Sequence, residues 1–213
     1  MDSTALVEYF RSQIVDETVR YLWSDDEVLV YANEAQLMFC RLTEGIADVS
    51  TPEVVNIPVC TGEILAPVHP AILTFRLALL ASTGRKLDII NHTDVQSWAN
   101  ATGNIYSMIV GMEDGVVRWG ATPAVDDEVS LMVFRMPLTD ITDFDQDLEI
   151  DSKHHVSLVH WMKHLAYLKD DTEVFDKAAS DKAKATFEEY CNTAASEQRR
   201  YRQKPRVVAY GGI

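Results

Sequence analysis

Four histidines crowd one stretch of this chain: His154, His155, His160 and His164. His160 and His164 stand at i and i+4, a spacing that sets two imidazoles on one face of a helix and suits a divalent metal. A helical wheel puts Leu158, Trp161 and Leu165 on roughly the opposite side. The pair is therefore expected at a solvent-facing surface or against a neighbour. The nearest third position is Lys153, which is no ligand, and the chain has neither His-Glu-x-x-His nor Cys-x-x-Cys. His160 and His164 read as a candidate inter-subunit face, and neither a metal nor another cofactor is expected.

Asp143, Asp145 and Asp147 alternate as at the start of a calcium loop, but the glycine at position six and the glutamate at position twelve are missing. With Asp140 and Glu149 they read as a solvated acidic linker. No Gly-x-Ser-x-Gly and no glycine-rich phosphate loop occurs; Gly103, Gly111, Gly115 and Gly120 read as hairpin glycines. Cys40, Cys60 and Cys191 are odd in number and widely spaced, as expected of reduced, mostly buried thiols. No residue is expected to be catalytic, so the chain reads as a non-enzyme.

Charge is distributed unevenly. Five of the 19 Lys/Arg lie in the last fifteen residues, which hold no acid: Arg199, Arg200, Arg202, Lys204 and Arg206. Removing those five takes the formal charge from −14 to −19. An apolar strip follows, Val207-Val208-Ala209-Tyr210-Gly211-Gly212-Ile213. A lone extended strand leaves its backbone donors and acceptors unpaired, so such an arm needs an edge or groove on another chain. Residue type alone does not separate that reading from a loose chain end. The acidic balance opposes generic nucleic-acid binding, because phosphate affinity comes from basic surface.

Length and composition suit a globular chain: 213 residues with a 47% hydrophobic fraction bury one good core, or one core and a satellite. No apolar run reaches the roughly 18 residues of a membrane helix. Met1-Asp2-Ser3-Thr4 lacks the basic start of a signal peptide, which predicts synthesis in the cytoplasm.

The elements follow from periodicity. Leu6, Phe10 and Ile14 predict a helix from about Thr4 to Thr18. Ser24-Asp25-Asp26-Glu27 is a capping box opening a second helix, to about Glu44, that buries Leu29, Ala32, Phe39 and Leu42, with Gly45 where a C-cap would sit. From Glu53 to Pro137 the period shortens. Strands are expected over 54–59, 63–65, 86–91, 105–110, 116–119 and 129–136, around turns at Thr61-Gly62, Ser82-Thr83-Gly84-Arg85 and Glu113-Asp114-Gly115. Ile72–Ala81 suits a strand or a helix. Ser152 to Lys169, with Leu158, Trp161, Met162, Leu165 and Leu168, predicts a helix. Asp171-Thr172 would cap another from about Glu173 to Tyr201, with a stripe of Phe175, Ala179, Ala183, Thr186, Phe187, Tyr190 and Ala194. The expected fold is α+β: a helical bundle of N- and C-terminal helices, an inserted small antiparallel β module, and an extended C-terminal arm. The expected divisions are residues 1–50, 51–138, an acidic linker 139–151, a helical hairpin 152–201, and the arm 202–213.

Several stretches carry a family likeness. Trp23-Ser24-Asp25-Asp26-Glu27-Val28-Leu29-Val30-Tyr31-Ala32-Asn33-Glu34-Ala35-Gln36 resembles the second helix of the head-to-tail adaptor proteins of tailed bacteriophages. Trp98-Ala99-Asn100-Ala101-Thr102-Gly103-Asn104-Ile105-Tyr106, Val116–Trp119, Pro123 and Phe134-Arg135-Met136-Pro137 resemble the family's β insertion. Leu148-Glu149-Ile150 through His160-Trp161, Ala166-Tyr167 and Phe187 resemble its closing hairpin. The chain departs from the pattern at Asn104, often proline in the family, and in having Pro123 alone around residues 119–123.

The resemblance implies a structural virion protein. It would form a homo-oligomeric ring, matched to the twelve-fold portal, in the neck between head and tail. It would dock on the portal, extend the DNA channel without sequence-specific binding, and carry neck or tail proteins, with no membrane involved. The arm residues Arg199, Arg200, Arg202, Lys204, Arg206, Val207, Val208 and Tyr210 would meet the portal or the next subunit. Two readings of other classes stand beside it: an acidic assembly chaperone or DNA mimic, and a metal-dependent enzyme using the His-rich helix.

Overall fold

The computed structural model describes residues 1–16, 22–95, 101–169 and 175–202. In chain order the elements are α1 (Ser3–Ile14), α2 (Asp25–Leu42), β1 (Ile46–Asp48), α3 (Pro52–Val55), β2 (Asn56–Val59) and β3 (Leu65–Pro67). Then come β4 (Ile72–Leu80), β5 (Arg85–Lys86), β6 (Asp88–Asn91), β7 (Thr102–Gly103), β8 (Ser107–Glu113) and β9 (Val116–Trp119). β10 (Thr122–Pro123), β11 (Asp127–Arg135), α4 (His155–Tyr167) and α5 (Lys177–Arg202) complete the chain. The expected α+β class holds. Two compact units result, one from residues 1–43 and 141 onward, the other from residues 44–140.

The helical unit packs α4 against α1, α2 and α5. Asp2 caps α1 by accepting from the Ala5 amide at 2.8 Å. The helix stops at Ile14 rather than near Thr18, which lies outside the described residues, because Val15 turns left-handed and the chain folds back. Arg11, itself buried, then reaches Asp16 at 2.7 Å, Asp25 at 2.6 Å and the Trp23 carbonyl at 3.1 Å. An ion cluster therefore holds the start of α2 to the end of α1. α2 opens as expected, with Ser24 accepting from the Glu27 amide. Leu29, Ala32 and Phe39 are buried, whereas Leu42 is exposed.

The second unit is built around β11. β11 pairs antiparallel with β1 and β2 on one side and β4 on the other, and β4 carries β5. A second sheet runs β3-β9-β8-β6. Ile57, Ala78, Leu87, Met108, Trp119, Val129 and Val133 form one core between them. Ile72–Leu80 is a strand, which resolves the open choice there. The expectation of a wholly antiparallel module is corrected in two places, since β6–β8 and β7–β10 are parallel. Residues 54–55 also belong to the single turn α3 rather than to a strand. Gly45 does not cap α2; Thr43 does, its amide bonding the Phe39 carbonyl. Gly45 instead takes φ +77° at the entry to β1, where a Cβ would lie 2.7 Å from the Arg135 carbonyl oxygen. Buried Asp48 pairs with Arg135 at 2.6 Å and accepts the Ser50 and Thr51 amides, tying both ends of this unit together.

Candidate functional site

The His-rich segment starts where Asp151 accepts from the Lys153 amide at 3.1 Å. His154 is buried, 2.9 Å from the Tyr190 hydroxyl and against the Phe39 ring. His155 is buried too, its Nε2 donating to the Ile150 carbonyl at 2.6 Å. His164 sits in the α4–α5 seam beside the Trp161 ring. Its Nδ1 is 2.7 Å from Ser180 Oγ, which in turn donates to the His164 carbonyl at 2.9 Å. The Ser180 hydrogen is thus committed, so His164 Nδ1 is the donor.

His164 is therefore buried in the seam rather than solvent-facing, a correction to the wheel, and His160 beside it is half-buried. The reason lies in the helix. α4 packs against α1, α2 and α5 and carries a single formal charge in its helical span, Lys163; its more accessible stripe is Val156, His160, Lys163 and Tyr167, which leaves His164 inside. Burial lowers the His154, His160 and His164 pKa values, with Lys153, Lys163 and Lys184 acting the same way. For His164 the Ser180 carbonyl, Asp181 and Glu188 oppose that shift. Among the described residues no three His, Cys, Asp or Glu side chains stand together as a metal-holding group.

The acidic loop is more than a solvated linker. Its four aspartates are exposed and Glu149 is half-buried, and its backbone is strapped to the helices. Ile141 exchanges two hydrogen bonds with the Asn33 side chain, at 2.8 and 2.9 Å. The Ser3 amide donates to the Gln146 carbonyl, and Thr4 Oγ1 donates to Asp145. Leu148 and Ile150 are buried beneath the strap.

The basic end belongs partly to α5. This helix is 26 residues long, roughly 39 Å, and buries Ser180, Ala183, Phe187, Cys191, Ala194 and Ala195. It begins after Asp176, whose carboxylate accepts the Ala179 amide; the expected Asp171-Thr172 cap lies outside the described residues. Arg199 and Arg200 are exposed on its last turns, where cations complement the helix dipole. Arg202 ends the helix, so it is not the first residue of an extended arm. Lys204, Arg206, Val207, Val208 and Tyr210 lie outside the described residues, as does Trp98-Ala99-Asn100.

Signals for the buried network were sparse. Glu27 is the exception: as the residue three after the Ser24 cap in a capping box it announced its bond to Ser24, and it also pairs with Lys169 at 2.7 Å and accepts from Tyr31. Arg11, Asp48 and Arg135 carry no local pattern.

The Arg11, Asp48, Glu27 and His164 clusters each join separate parts of the chain. The chain belongs to the SU10 adaptor protein family, whose model matches residues 1–209, and a phage adaptor has a structural role in the virion. No curated protein matches the chain.

Proposed function

We propose that this chain assembles as a ring, twelve copies to match the portal, that docks beneath the portal, extends the DNA channel and receives neck or tail proteins. The observation that carries this reading is the family match over residues 1–209. Charge supports it. A formal −14 lets a lining surface repel phosphates, so DNA passes without being held. The basic C-terminal end, from Arg199 onward, supplies arginines suited to bidentate contact with carboxylates on the portal or the next copy. A closed ring needs two different complementary faces per copy, and the arm is one of them.

Deleting residues 203–213 tests the arm. The helical unit keeps its fold, because among the described side chains of α5 the last buried one is Ala195. The expected result is an unchanged urea midpoint with loss of docking or ring closure. Docking at the full-length level, with the same salt dependence, would remove the arm from the account.

A further inference from the structure

In the β unit the strand leaving the β4 turn serves two sheets. Its first part, β5, pairs with Leu79 and Leu80 of β4; its second part, β6, pairs parallel with β8. Buried Leu87 marks the fork, its amide bonded to the Ala78 carbonyl. From Ile72 to Leu77, β4 is paired with β11 alone among the described strands, and β6 is paired with β8 alone. Two unpaired edges thus flank the fork. Between them lies a groove of about 500 Å³, lined by Ile72, Phe75, Ile89 and Val110, all half-exposed, with Glu113 and Asp114 on its acidic side. Among the described residues no Lys or Arg lines it.

We infer that this groove receives residues 206–213 of a neighbouring copy as an added strand. Three observations select that occupant. The described chain ends at Arg202, leaving eleven residues beyond it. Those residues place an apolar, β-prone Val207-Val208-Ala209-Tyr210 directly after Lys204 and Arg206, matching an apolar slot with an acidic border. The seven residues from Val207 span roughly 23 Å when extended, close to the roughly 20 Å of the Ile72–Leu77 edge. Strand addition satisfies backbone groups on the open β4 edge, and alternate side chains fill the groove. The inference rests on the ring proposed above and names the surface that takes its arm.

The test is a disulfide between copies. The full chain carries Cys60→Ser to remove the exposed native thiol, plus Thr74→Cys and Val208→Cys, and is oxidised alone and with the portal. The expected product is a ladder of covalently joined copies. It is lost when Glu113→Lys and Asp114→Lys are added, and regained when Lys204→Glu and Arg206→Glu accompany them. A bond confined to one copy, a bond that needs the portal, or no bond overturns the inference. The 203–213 deletion separates the two ideas. Lost docking without a 74–208 bond sends the arm elsewhere and leaves the ring reading intact, whereas unchanged docking removes the arm from docking whether or not the bond forms.

Discussion

His164 is a titratable group made into a structural one. Its Nδ1 donates to Ser180 inside the α4–α5 seam, and burial disfavours the imidazolium there. His154 and His160 are shifted down for the same reason. As pH falls, the unfolded chain takes up protons on these groups before the folded one does, so folding stability falls with it. The histidine contribution is complete above about pH 7 and is lost as pH drops through roughly 6.5 toward the lower folded values. Glu27, Asp48 and Asp151 have lowered pKa values, so their contribution persists until the pH is well below that window. The expected urea midpoint is flat from about pH 7 to 8 and declines between about pH 7 and 5.5, less steeply in His164→Asn. A midpoint that rises on acidification through that window would overturn this account. None of this was legible in the sequence, where i, i+4 spacing suggested a surface pair. A wheel shows which residues share a side, not how many neighbours surround the helix.

Elements were legible where a local pattern fixes them and obscure where distant partners do. The Ser24 capping box, the Asp114-Gly115 hairpin between β8 and β9, and the α4–α5 pairing all followed from short-range chemistry. The parallel β6–β8 pairing did not, because it joins strands across the connection 92–106 with no turn to announce it. The α5 stripe shows the boundary within one helix. Phe187 is fully buried, 5.3 Å from the Trp161 ring, whereas Phe175, expected in the same stripe, precedes the helix and is 54% exposed. Phe187→Ala should therefore cost about 3–5 kcal/mol. Phe175→Ala should stay within about 0.5 kcal/mol. Urea unfolding of the two variants reads the difference directly, and equal losses would contradict the seam described here.

At the scale of the whole chain, acidic surface, a basic end and a two-sheet β unit with open edges suit a part that works among copies and partners. The family places it among phage adaptor proteins. The resemblance carried that assignment because it spans most of the chain, while no single residue pattern specifies a ring. What remained hidden was the groove of the β unit. It is formed by β4, β6 and the β8–β9 turn, segments far enough apart in sequence that only folding brings them together. The central claim is that this chain is a stoichiometric ring under the portal. Quantitative mass spectrometry of purified, DNA-filled particles measures it against the portal subunit. The account predicts a ratio near one to one; absence from the particle would contradict it and leave the acidic chaperone as the better reading.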